Sequence, residues 1–253
     1  HRTNLGNKLP ADFYTWLDAF QYLTGRPVND LFYDSIGNPW GYKTPNSDCL
    51  IKVIDPAQGI KAQSLLDLLE SGNTSNVPVI LDIGSGMGGD MEKLSRWCNK
   101  PVKIILMDIP MNLTTAYAYI ASNLSQENCH LIDNTKDIHK LNRIISSTEF
   151  FFIPTCFIEE LAKFEIDIIH NHGSFSEMDE WTIKFYLKTL LPNTKYLHEI
   201  NSHQPSFLSN SHLEVNARNL EITDTHSILS RTPTWFTPRG HRYLKTIYAR
   251  INR

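Results

Sequence analysis

The segment LDIGSGMGGD at residues 81–90 constrains this chain more than any other. It stands where a mostly apolar run, VPVILDI at 77–83, gives way to helical spacing on Met87, Met91, Leu94 and Cys98. A strand that turns into a helix through glycines presents backbone N–H groups at the helix start to a ligand. Gly84 and Gly86 allow a tight turn and close approach, and Gly88 and Gly89 open the helix. Downstream, VKIILMD (102–108), EFFFIP (149–154), EIDIIHN (165–171) and KYLHEIN (195–201) read as further strands. Helix stripes fall between them, on Leu113, Ala116, Tyr117, Ile120 and Leu124, and on Ile183, Tyr186, Leu187, Leu190 and Leu191. This alternation predicts an α/β fold with a mostly parallel sheet and crossover helices. HSILSRTPTWF and HRYLKTIYARI then predict an antiparallel C-terminal hairpin, joined through residues 237–240.

The first 76 residues differ in character, which divides the chain into an N-terminal helical cap at 1–76 and a core at 77–253. Phe13, Trp16, Leu17, Phe20 and Leu23 predict a helix over 11–24, ended by Gly25 and Pro27. Residues 37–56 are dense in Gly, Pro, Asn and aromatics and read as a structured loop. Ile60, Leu65, Leu66 and Leu69 mark a second helix over 57–70, before a linker at 71–76. The polar stretch 125–147 reads as an insertion.

With 24 Lys and Arg against 27 Asp and Glu, the formal charge is −3 and no basic block occurs, which disfavours a nucleic-acid partner. No apolar run approaches the roughly 18–20 residues of a membrane span, and the start HRTNLGNK lacks a signal-peptide core. The chain is therefore expected to be soluble and cytoplasmic, and its start at His1 marks it as trimmed or as part of something longer. Cys49, Cys98, Cys129 and Cys156 lie far apart, with no CxxC pair, and are expected to be reduced, buried and inert. Nothing in the pattern fixes an oligomeric state.

Gly84, Gly86 and Gly89 satisfy G-x-G-x-x-G, so a dinucleotide site has to be weighed. Asp82 turns the choice, because a carboxylate there repels a pyrophosphate and attracts the amino and sulfonium groups of S-adenosylmethionine. Asp108, 20 residues beyond Gly88, stands at the end of the next strand, where an acid binds ribose hydroxyls, and Ile109 beside it can pack on adenine. The expected cofactor-binding set is Asp82, Gly84, Ser85, Gly86, Gly88, Asp108, Ile109 and Asn171. The plainer alternative is that the two aspartates only cap turns.

Through the D-x-G-x-G loop of residues 82–86 and Asp108, the sequence resembles the class I S-adenosylmethionine-dependent methyltransferases, whose fold is a Rossmann-like sheet. It is closer to the bacterial sugar O-methyltransferase family, through IGNPWGY (36–42), MDIP (107–110) and DIIHNHGSFSEM (167–178). The resemblance implies methyl transfer to a hydroxyl of a saccharide or glycoconjugate, with S-adenosylhomocysteine as product. A non-sugar small molecule is the alternative acceptor; an NAD-dependent oxidoreductase and a non-catalytic binding module are the more distant readings.

Methylating an alcohol calls for a base, and HNHGSFSE at 170–177 is rich in candidates at the carboxyl end of a strand. His172 lies just past the strand end and is preferred to His170, which shares its face by alternation. Glu177 is a third candidate, although Ser174 and Glu177 also fit a helix-capping box. His203 is the alternative base after the fifth strand, whereas His198 sits within it. Asp167, His170, His172 and Glu177 include metal-ligand types, but without a companion acidic cluster no metal is expected. Trp40 and Tyr42 are candidates to stack on a sugar, and Trp235, Arg231 and Arg239 to hold an anionic substituent.

Overall fold

Strands that read as unbroken Val, Ile, Leu and Phe runs are those of a parallel sheet covered on both faces. The computed structural model describes residues 11–31, 41–43, 50–52, 56–132, 134, 137, 149–202, 222, 224–234 and 243–251. Its helices are α1 (Ala11–Thr24), α2 (Pro56–Ser71), α3 (Gly89–Trp97), α4 (Pro110–Asn123), the single turn α5 (Ile158–Leu161) and α6 (Glu180–Leu190). A short antiparallel ribbon, β1 (Gly41–Lys43) with β2 (Leu50–Lys52), lies in the stretch expected to be loop. There, strand formers such as Tyr42 and Ile51 pair despite the surrounding Gly and Pro.

Among the described residues the main sheet has eight strands: β3 (Val79–Ile83), β4 (Lys103–Asp108), β5 (Cys129–Leu131), β6 (Phe150–Pro154), β7 (Ile166–His172), β8 (Thr194–Ser202), β9 (His226–Pro233) and β10 (Tyr243–Arg250). Their order is β5-β6-β4-β3-β7-β8-β10-β9. Pairing is parallel from β5 to β8, and β10 runs antiparallel to both β8 and β9, as the C-terminal hairpin requires. The residues joining β9 to β10 lie outside the described residues. β5 falls inside the stretch taken for an insertion; at three residues it is too short to show a period, and it gains its place by pairing with β6.

Alternation along the strands sorts the core into two layers. Ile80, Ile104, Leu106, Phe152 and Ile168 pack on one face against Leu65, Leu66 and Leu69 of α2, Met91 and Leu94 of α3, and Ile120 of α4. Leu81, Ile83, Ile105, Phe151, Ile169 and Leu197 pack on the other against α5 and α6. The apolar stripe of α2 thus joins the same core layer as the helices after β3 and β4. Cys129 is buried as expected, Cys98 is only partly so, and Cys156 is exposed, because it sits on the turn where the chain leaves β6; Cys49 lies outside the described residues. Among the described residues, no helix is long and apolar enough to cross a membrane.

Candidate functional site

The chain places β4 on one side of β3 and later returns β7 to the other side, so the order of connection reverses between β3 and β7. In open α/β sheets the crevice outside the carboxyl ends of such strands is where ligands bind. The glycine loop leaves β3 at this point. Gly84 has φ +68° and donates its N–H to Met107 O at 2.7 Å; a Cβ there would collide with the side chain of Ser174 in the loop after β7. Gly86, at φ +55°, donates to Asp108 Oδ2 at 2.8 Å. Asp108 Oδ1 accepts from Ile109 N–H at 2.7 Å and Asn112 Nδ2 at 3.0 Å. Asp108 therefore ties the glycine loop to the end of β4. Ile109 heads α4 and is half exposed; neither it nor Asp108 lines the cavity beneath the loop.

That cavity, about 200 Å³, is walled by Asp82, Ser85 and the glycines, by Asp90 of α3, by Gln58 and Lys61 of α2, and by His172. A larger hollow of about 760 Å³ opens at the opposite end of β8, beside Lys195, Tyr196 and Arg250. Volume favours the second, but the convergent charged groups and the strand ends mark the first as the site.

The cavity holds two carboxyls in unlike settings. Burial, together with the charges of Asp90 and Asp108, pushes the Asp82 carboxyl well above the usual range, against the pull of Lys61. Burial acts the same way on Asp90 but is outweighed by His170, Lys61 and His172, which hold Asp90 below the usual range. His170 Nε2 stands 3.6 Å from Asp90 Oδ2. Strand register sets this up, aligning Asp82 with His170 and His170 with His198 in one row across β3, β7 and β8. His172 Nδ1 lies 2.9 Å from Lys61 Nζ, and its Nε2 is buried with no hydrogen-bond partner among the described residues. Burial, then the Lys61 charge, push the His172 imidazole down to about 3. An ammonium can only donate, so a charged Lys61 puts the His172 proton on Nε2.

The structure brings His170 and His172 together and disperses the other candidates. Asn171 is fully buried; it donates to Ile83 O at 2.8 Å and accepts from Phe175 N–H and Asn201 Nδ2, so it fixes the turn after β7 and does not line the cavity. The capping box does not form: Ser174 Oγ turns inward to Ile83 O at 3.0 Å, Asp179 caps α6, and Glu177 is exposed. Asp167 lies at the far end of β7, bound by Ser75, Val79 and Lys195, and no metal-binding group of His, Cys, Asp or Glu occurs among the described residues. Arg231 is committed to Thr246 and Tyr248. His203, Trp40, Trp235, Arg239 and the side chain of Tyr42 lie outside the described residues. Lys61 and Asp90, which the cavity wall includes, are not among the residues expected from the sequence. The signal was there: Lys61 and Ser64 are three apart on an otherwise apolar helix face, and an acid in the first turn of α3 follows two glycines.

No protein-family model matches the chain, and no curated protein matches it. Among solved structures it is similar to one described as a pericyclic reaction enzyme, at 13% identity and TM-score 0.49, over 73% of this chain and 46% of that one. The chain thus spans about half the length of that enzyme. It is similar to the N-methyltransferase NodS from Bradyrhizobium japonicum WM9, at 15% identity and TM-score 0.50, over 78% of this chain and 98% of that one. A third likeness is to magnesium protoporphyrin IX methyltransferase from Synechocystis PCC 6803 with bound SAH, at 12% identity and TM-score 0.49, over 76% and 82%. The likeness to NodS, with the strand order, establishes a Rossmann-like fold of the class I methyltransferase type.

Proposed function

We propose that this chain binds S-adenosylmethionine and transfers its methyl group to a hydroxyl of a saccharide or glycoconjugate. The observation that carries the cofactor is the acid lining of the cavity: Asp90, held ionised, and Asp82 meet the glycine loop where a dinucleotide pyrophosphate would have to lie. That donor set suits a cationic amino and sulfonium group. Ser85 Oγ and His172 Nε2, both buried and without hydrogen-bond partners among the described residues, fit the same site as groups that a bound ligand satisfies. Asp82, Asp90, Ser85 and the loop glycines would hold the cofactor, with Asp108 keeping the loop in place. When bound, S-adenosylmethionine supplies an electrophilic methyl group.

The chain's own part is to orient the acceptor and receive its proton. His172 is the group we place there. Because a charged Lys61 keeps the His172 proton on Nε2, His172 acts as a base only after Lys61 has released a proton to solvent, in the tautomer where Nδ1 donates to the resulting amine and Nε2 faces the cavity as an acceptor. One proton then moves from the acceptor hydroxyl to Nε2 while the Nδ1 proton passes to Lys61 Nζ, leaving the imidazole neutral. Residues 1–76 would shape the acceptor pocket, and the placement of Gln58 and Lys61 in the cavity wall supports this.

The saccharide rests on the sequence resemblance of residues 36–42, 107–110 and 167–178. The test is incubation with S-adenosylmethionine and a panel of saccharides, glycoconjugates and small phenols, read by mass spectrometry. A saccharide product heavier by one methyl group supports the reading, and methylation confined to the phenols would replace it.

A further inference from the structure

One buried feature of the molecule is not used by the proposed reaction: a row of hydrogen-bonded polar side chains beneath the cavity. Lys245 Nζ of β10 donates to Ser64 Oγ of α2 at 3.2 Å. Ser64 Oγ lies 3.0 Å from His198 Nε2, and His198 Nδ1 lies 3.0 Å from His170 Nδ1. His170 Nε2 then faces Asp90 Oδ2 at 3.6 Å, too long for a hydrogen bond but close enough for its N–H dipole to act on the charge. Both imidazoles are fully buried.

Donor chemistry gives the row a direction. A lysine ammonium has no acceptor, so Ser64 receives from it and donates its own proton to His198 Nε2. His198 must then carry its proton on Nδ1 and donate to His170 Nδ1, which leaves the His170 proton on Nε2, aimed at Asp90. Each donor points toward Asp90, so the whole row favours a negative charge there. Asp82, the other acid in the cavity wall, has no such support, and it faces the charges of Asp90 and Asp108.

We infer that Asp90 is the anion that receives the cationic amino-acid end of the cofactor, and that His198 and His170 are positioning residues that keep it charged and aimed. The inference rests on the cofactor reading above and adds a residue to it. Besides the row, Asp90 is faced by Lys61 of α2, Asp82 of β3 and His172 of β7, and Asp67 lies near Lys245 at the outer end. The ligand-free protein separates their contributions.

Two measurements decide it. In ligand-free protein, carboxyl carbon NMR titration should show Asp90 ionised throughout the range in which Asp82 takes up a proton. Histidine nitrogen NMR should show His198 in the Nδ1–H tautomer and His170 in the Nε2–H tautomer at neutral pH. The His170→Leu change should raise the Asp90 titration, and His170→Gln, which keeps an N–H donor, should restore it. Calorimetry with S-adenosylhomocysteine is the second arm. Asp90→Asn should weaken binding by roughly 10- to 100-fold, the worth of one charge-assisted contact, and more than Asp82→Asn does. Binding lost in Asp82→Asn but kept in a folded Asp90→Asn overturns the inference alone. A wild type that binds no S-adenosylhomocysteine overturns the cofactor reading, while the carboxyl titration still decides which acid carries the charge. Reversed tautomers, or an Asp90 titration unmoved in His170→Leu, would remove the positioning role.

Discussion

Gly84→Ala is the perturbation whose size the structure fixes most fully. The residue sits at φ +68°, where an L side chain costs about 1–2 kcal/mol in backbone strain. The new Cβ would also overlap Ser174, on both its Oγ and its Cβ. Ser174 cannot move freely, because its Oγ donates to Ile83 O at 3.0 Å and is bonded by the Asn171 amide. Losing one of those bonds adds about 0.5–1.5 kcal/mol, for a total of roughly 1.5–3.5 kcal/mol before any overlap strain. Gly86 is the internal control, since it too has positive φ, +55°, but none of the described residues lies within 4 Å of the Cβ it would gain. Urea unfolding should therefore place Gly84→Ala below Gly86→Ala by more than 1 kcal/mol, or roughly that bond plus overlap strain. Adding Ser174→Gly, which clears the colliding atoms, should return part of the loss in a double-mutant cycle. Equal midpoints for the two alanine variants, or strict additivity in the cycle, would refute the steric account.

Three other outcomes follow from named groups. Burial pushes the Glu199 carboxyl up to about 7, against bonds from Tyr248 and Asn201 and the charge of Arg231. A raised carboxyl contributes stability at low pH that is lost as pH rises from about 4.5 through 7, so Glu199→Gln should gain on wild type by on the order of 3 kcal/mol at pH 8 and little at pH 4.5. Denaturant unfolding at the two pH values checks this, and an equal difference at both rejects it. If the His172 and Lys61 pair acts as the base, the alkaline rise in kcat should not follow a free imidazole near 6.5, and Lys61→Met should abolish that limb; a limb near 6.5 that survives Lys61→Met contradicts the pair. Asp108→Ala removes the acceptor of the Gly86 and Ile109 N–H groups and should weaken S-adenosylhomocysteine binding by roughly 1–3 kcal/mol in calorimetry; unchanged affinity would make Asp108 dispensable to the loop.

The long apolar strands and the glycine loop were legible because each carries its signal locally: unbroken Ile and Leu runs, and glycines where φ must be positive. β5 was not, since three residues have no period and only pairing with β6 makes them a strand. The same division holds in the site. Asp82 and His172 stand beside the loop in sequence or at a strand end, and the structure puts both in the cavity. Lys61 and Asp90 reach it through packing of α2 and α3, over 100 and 80 residues from His172, and only the tertiary fold joins them. Asn171 and Ser174 show the converse. Their polar groups looked available for ligand or capping, but the buried turn after β7 consumes them.

The cofactor is decided by what enters the cavity between Asp82, Asp90 and the glycine loop. Isothermal calorimetry of the wild-type chain with S-adenosylhomocysteine and, separately, with NAD reads that question without any assumption about the acceptor. Saturable binding of S-adenosylhomocysteine at one site per chain, with no heat from NAD, is the expected result; saturable NAD binding with none from S-adenosylhomocysteine would contradict the account.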